Sequence, residues 1–142
     1  MLKAIAVAST LLLTPAVAFA APVVSPADEK AIDARVETLF KDMNAGHVDT
    51  ALANGFLPRM STDNKSALQG LSTQIQAGVN YAGLPLKSEM MSETVLASVM
   101  VARTYVAYSK DLPVRVKLTF FKTPDGWYIQ SLYFESFQAQ DY

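Results

Sequence analysis

Cysteine is absent from the 142 residues, which removes disulfides, thiolate metal sites, a nucleophilic thiol and a lipid-bearing cysteine together. Packing alone has to hold the fold. Histidine is nearly as scarce, with His47 the single one. A transition-metal site would rest on it and carboxylates alone, and a serine triad would need it as base. No G-x-S-x-G or S-x-x-K occurs beside it. His47 therefore reads as a surface loop histidine next to Gly46, and no metal or other cofactor is expected. A dominant charge is missing too: 12 Lys and Arg stand against 13 Asp and Glu, with no basic cluster along the chain, so nucleic acid is not an expected partner. Repeats, low-complexity tracts and linkers are also lacking.

The one long apolar run is Ala4 to Leu13, preceded by Lys3, interrupted by Pro15 and followed by Ala18-Phe19-Ala20. It falls well short of the roughly 20 residues that a membrane-spanning helix needs. A short positive region, an apolar stretch and an A-x-A site instead predict a secretory signal peptide over residues 1–20, cleaved before Ala21. What remains, 21–142, is long enough for one domain with a real core and too short for two. The expected location is periplasmic or secreted, with no membrane partner after cleavage.

Ser25-Pro26 predicts an N-cap followed by proline at the first helical position, with Asp28 three residues after the cap. Ile32, Val36, Leu39, Phe40 and Met43 form one apolar stripe, and Gly46 stops it. Asp33, Glu37 and Lys41 run beside the stripe and read as a solvated flank. Asp49 is the expected cap of a short second helix burying Leu52 and Phe56. Ser61 or Thr62 is expected to cap a third, with the stripe Leu68, Leu71, Ile75 and Val79 and with Gly78 near its end. Gly83 and Pro85 break it. Leu86 to Met91 reads as a short strand, and Val95 to Tyr108 as strand from about Val99 onward. A two-residue loop Lys110-Asp111 would turn Arg103 and Tyr105 to the core face; a loop one residue longer or shorter would turn them outward. The six methionines, among them Met60, Met90, Met91 and Met100, lack the M-x-x-M spacing of a copper-binding patch and read as core gap-fillers.

The clearest local signal is a hairpin from Leu112 to Phe137. Pro124-Asp125-Gly126 is predicted to be its three-residue loop, a type I turn plus glycine bulge that pairs Thr123 with Trp127. That register sets Leu118 opposite Leu132 and Val116 opposite Phe134 on a core face that also holds Phe120. It pairs Arg115 with Glu135, Thr119 with Ser131 and Phe121 with Ile129 on the other face. Phe121, Trp127, Ile129 and Tyr133 then form an apolar outer row, the candidate interface of a homodimer. The polar candidates on the core face, and so for lining a pocket, are Arg103, Tyr105, Tyr128 and Gln130. An ion pair between Arg103 and an acid, with the Tyr and Gln tips bonding backbone, is the structural alternative for them.

Helices first and antiparallel strands after predict an α+β domain with N-terminal helices on one face of a curved antiparallel sheet. Gly46-His47-Val48-Asp49-Thr50-Ala51, the Ser61-led helix, Tyr105 and above all Asp125-Gly126-Trp127-Tyr128-Ile129 resemble the nuclear transport factor two-like (cystatin-like, or ketosteroid isomerase-like) superfamily, in its branch of small exported bacterial proteins. The resemblance implies a cone-shaped, cystatin-like roll whose sheet wraps a long helix, leaves a pocket at the open end and often dimerises through the sheet. It implies no reaction, since that superfamily holds enzymes and non-enzymes alike. Its enzymes set a carboxylate or histidine with a tyrosine inside the cone, and no pair of positions here matches that set. The expectation is a non-catalytic exported domain that binds a small apolar ligand or a protein partner. An isomerase or dehydratase using acid/base chemistry in the cone is the alternative, and a purely structural homodimer comes third.

Overall fold

A computed structural model describes residues 22–56, 58 and 64–137. The leader with its cleavage site, Met60 and the caps Ser61 and Thr62 lie outside the described residues. Among the described residues, helices α1 (Pro26–Asn44), α2 (Val48–Gly55) and α3 (Lys65–Ala82) precede strands β1 (Pro85–Ala97), β2 (Met100–Ser109), β3 (Pro113–Thr123) and β4 (Gly126–Ser136). The strands form one antiparallel sheet in the order β1-β2-β3-β4, curved and unclosed, with the helices packed on one face. Among the described residues no helix is long and apolar enough to cross a membrane.

The first helix forms as its sequence predicts. Ser25 caps it, the Ser25 hydroxyl accepting from the Asp28 amide at 3.2 Å, and Gly46 at φ 78° follows its end. All five stripe residues, Ile32, Val36, Leu39, Phe40 and Met43, are buried. The helix crosses the sheet and touches both edge strands, β1 and β4. Against the expected cap, α2 begins at Val48 with His47 at the cap position and no side-chain cap bond. Asp49 instead accepts from the Ser72 hydroxyl of α3 at 2.5 Å, so its carboxylate ties two helices together. Leu52 and Phe56 are buried as predicted, and Phe56 makes a parallel bridge to Ile129 on the edge of β4. The third helix starts after Asn64 and runs past Gly78 to Ala82. Its stripe is only partly buried apart from Ile75.

The two predicted strands form a hairpin, and Val95 to Ala97 belong to the first of them rather than to the second. β1 continues from Pro85 to Ala97 and turns at Ser98-Val99 into β2. β1 is an edge strand whose ladder shifts at Leu86, Met91 and Leu96. Bulges of this kind blunt an edge against pairing with another chain. Met90 and Met91 are exposed here, 54% and 52%, so they do not fill gaps in the core. In β2–β3, Tyr108 lies opposite Pro113, Arg103 opposite Leu118 and Tyr105 opposite Val116. This is the register of the Lys110-Asp111 loop, and both side chains are buried on the helix-covered face.

The β3–β4 hairpin corrects the predicted turn. Thr123 pairs with Gly126 and Lys122 with Trp127, so the loop is Pro124-Asp125, and Phe121 lies opposite Tyr128 rather than Ile129. The predicted pairs Leu118–Leu132, Val116–Phe134, Thr119–Ser131 and Arg115–Glu135 all form, because an extra residue sits between the two halves, at Gln130. The physical reason is parity. Trp127 and Ile129 are two apart, as are Leu132 and Phe134, but the two pairs are out of phase. A regular strand would leave one pair in water, whereas a one-residue bulge turns both toward the helices. Trp127 and Ile129 are therefore buried, 3% and 0% exposed, and cannot belong to an outer row.

Trp127 also anchors the hairpin to the start of α1. Its indole Nε1 donates to Asp28 Oδ1 at 2.8 Å, the Lys122 ammonium approaches the same oxygen at 2.8 Å, and the Ser25 hydroxyl donates to Asp28 Oδ2 at 2.8 Å. The Lys122 contact first, then the indole and the hydroxyl, hold the Asp28 carboxyl at about 2, below its ordinary 3.8.

Candidate functional site

A cavity lies where the C-terminal half of α3 meets the ends of β2, β3 and β4. Its origin is local. At Gly83 the chain leaves α3 with φ 85°, a conformation that L side chains rarely adopt, and a Cβ there would fall 2.9 Å from Cβ of Lys110. The close approach lets the amides of Asp111 and Leu112 donate to the Ala82 carbonyl at 3.0 and 3.3 Å. The end of α3 is thus clamped to the β2–β3 turn. Small residues, Gly78 and Ala82 on the helix and Ala107 on the inner face of β2, line the space under that clamp. A Cβ added at Gly78 would meet nothing within 4 Å.

The resulting pocket encloses about 370 Å³. Met43, Ile75, Val79, Val114 and Phe134 are among the apolar side chains that line it. The titratable lining side chains are Tyr81 and Glu135. Glu135 is already engaged, its carboxylate 2.9 Å from the Lys117 ammonium and 3.7 Å from the Arg115 guanidinium. An apolar wall of this size with few polar groups suits a small, largely apolar molecule and desolvates most of it.

The four predicted pocket residues do not meet there. Arg103 and Tyr105 sit together further along the inner face, Tyr128 is half-buried, and Gln130 is exposed at the bulge. The bulge that turns Ile129 inward is what turns Tyr128 and Gln130 away. The guanidinium of Arg35 stacks over the Tyr128 ring at 4.7 Å and donates to the Asn54 carbonyl at 2.6 Å. Arg103 is 4% exposed and takes the ion-paired role: its Nε donates to Glu93 at 2.5 Å and its Nη1 to Asp33 at 2.6 Å. Asp33 is thereby more than a solvated flank. Tyr105 Oη lies 3.4 Å from the same guanidinium, and its ring packs edge-on to Phe40. Burial alone would lower the Arg103 pKa, but its bonds to Tyr105, Asp33 and Glu93 raise it above the ordinary value. Burial pushes the Tyr105 hydroxyl up, against the pull of Arg103. A permanently charged guanidinium with both carboxylates bound to it is built to lock α1 onto β1 and β2, not to move protons.

His47 is exposed at the start of α2. Among the described residues no group of three or more His, Asp or Glu side chains is placed to hold a metal ion. The pocket residues themselves are not legible in the sequence because they come from four separate stretches. The one available signal was the run of small residues on the Ile75–Val79 face of α3. In comparisons with known proteins the chain matches no family model, no curated protein and no solved structure.

Proposed function

We propose that this chain is an exported, non-catalytic domain that binds a small apolar molecule in the pocket beneath the C-terminal half of α3. The observation that carries the reading is the pocket's wall, apolar over most of its surface, with its one carboxylate engaged by two cations. The resemblance to the nuclear transport factor two-like superfamily points the same way, through the expected pocket at the open end of a cone. The isomerase or dehydratase alternative would need a free base in this space. An environment-sensitive alkyl probe, such as a dansylated undecanoate, should bind with a blue-shifted emission at one probe per chain. Gly78→Leu starts a side chain in open space at the pocket wall and replaces a helical glycine with a better helix former. It should weaken the probe at least tenfold without lowering the melting temperature. A probe that ignores Gly78→Leu, or fails to bind the wild-type chain, removes the reading.

Export carries its own check, an intact mass of periplasmic material that begins at Ala21. The outer sheet face supports a homodimer, on a narrower basis than the sequence suggested. Phe121 and Tyr133 remain there, beside Arg115, Lys117 and Glu135, which give the same face the two signs of charge that a two-fold contact needs. Tyr133 is 62% exposed. Sedimentation equilibrium at tens of micromolar should show a dimer that Tyr133→Glu dissociates, and a wild-type monomer would refute it.

A further inference from the structure

The mouth of the pocket carries apolar side chains that the fold leaves in water. Tyr81 and Leu112 line the cavity and are nonetheless 71% and 41% exposed. Pro113, next to Leu112 in the same lining, is exposed as well. Neither the clamp of α3 on the β2–β3 turn nor the strand ends need these residues to be apolar, since their side chains stay largely outside the packing. The charges nearby are balanced in sign: Lys87 is paired with Glu89, and Lys110 and Asp111 adjoin at the turn. An apolar rim continuous with an apolar cavity lets a poorly water-soluble molecule pass from one apolar phase to another without full hydration. Tyrosine suits the boundary between the two, with an apolar ring and a polar tip.

We infer that this rim docks on the surface of a lipid bilayer and that the pocket takes a single-chain amphiphile from it, alkyl chain inward and polar head at the mouth. The inference rests on the pocket reading above and departs from the sequence expectation that the released chain has no membrane partner. The cavity's size limits the guest: about 370 Å³ amounts to roughly a dozen liquid-water volumes at about 30 Å³ each. That is room for one medium-length chain and not for the paired chains of a whole phospholipid.

Flotation of the full mature chain with zwitterionic vesicles, phosphatidylcholine with phosphatidylethanolamine, tests the rim. The wild-type chain should float with the vesicles, and should still do so in high salt, because apolar insertion is not screened. Tyr81→Glu combined with Leu112→Glu should reduce the floated fraction at least tenfold while the far-ultraviolet spectrum and melting temperature hold, both side chains being exposed. A wild-type chain that stays at the bottom of the gradient, or a doubly substituted one that floats equally well, overturns the inference. Dansylated undecanoate binding in vesicle-free buffer separates the two claims. Probe bound without flotation leaves the pocket and removes the rim, whereas flotation without probe binding removes the guest and the pocket reading with it.

Discussion

Trp127→Ala should destabilise the protein by about 3 to 5 kcal/mol, the range for truncating a buried aromatic in a core that relaxes only in part. Trp127 is 3% exposed within the cluster formed by α1, α2 and the sheet. Its removal opens a cavity and also withdraws the indole donor from Asp28. Trp127→Phe separates these contributions in part, since it keeps most of the apolar volume and loses the hydrogen bond to Asp28, and should cost less than Trp127→Ala. Urea unfolding followed by far-ultraviolet circular dichroism reads both, and an unchanged midpoint for Trp127→Ala would place the side chain outside the core. The same contact predicts an acid response. Asp28 is held at about 2 in the folded chain against an ordinary 3.8. Its carboxylate therefore contributes stability that is fully present above the ordinary value and is lost as the pH falls through about 2. Wild-type stability should decline across that window, and Asp28→Asn should remove that part of the decline.

The second large effect is an asymmetry within the Arg103 cluster. The Arg103 side chain is 3% exposed, whereas Glu93 is 24% and Asp33 67% exposed. Glu93→Leu leaves a buried guanidinium with the Tyr105 hydroxyl and one carboxylate that is itself largely in water, and should cost about 2 to 3 kcal/mol, somewhat below a fully broken buried pair. Arg103→Met removes the buried charge and leaves two carboxylates that can reach solvent. It should lie within about 1 kcal/mol of wild type, as apolar replacements of buried ions often do. The double substitution should recover most of the Glu93→Leu loss. Equal costs for the two single substitutions would mean that the cluster is hydrated and not the lock between α1 and the sheet described above.

Both effects trace back to features that differ in how readable they were. The sequence tied the face of Arg103 to the length of the turn and left both faces open, and the pairing of Tyr108 with Pro113 selects the two-residue Lys110-Asp111 turn and the core face. The partners of Arg103 did not follow from the sequence. Glu93 lies across a hairpin whose turn at Ser98-Val99 carries no glycine or proline, and Asp33 reaches it across a sequence separation of 70 residues. Trp127 was misplaced for a different reason. The predicted three-residue turn holds the extra residue of the hairpin, whereas in the structure it sits at Gln130. Its trace was present as the phase change between Trp127-x-Ile129 and Leu132-x-Phe134, and a face assignment that tracked apolar parity along all of β4 would have found it.

By itself the sequence determined the order of the elements, the cap and stripe of α1, the core face of β3 and the α+β class, because each rests on contacts within a few residues or on a single repeating period. Tertiary structure alone decided where the bulge falls, which acids reach Arg103, and that a cavity opens beneath α3. Those outcomes depend on several apolar groups competing for one interior, and on the close approach of Gly83 to the β2–β3 turn. No local pattern encodes that approach, since its energy belongs to two segments more than twenty residues apart in the chain.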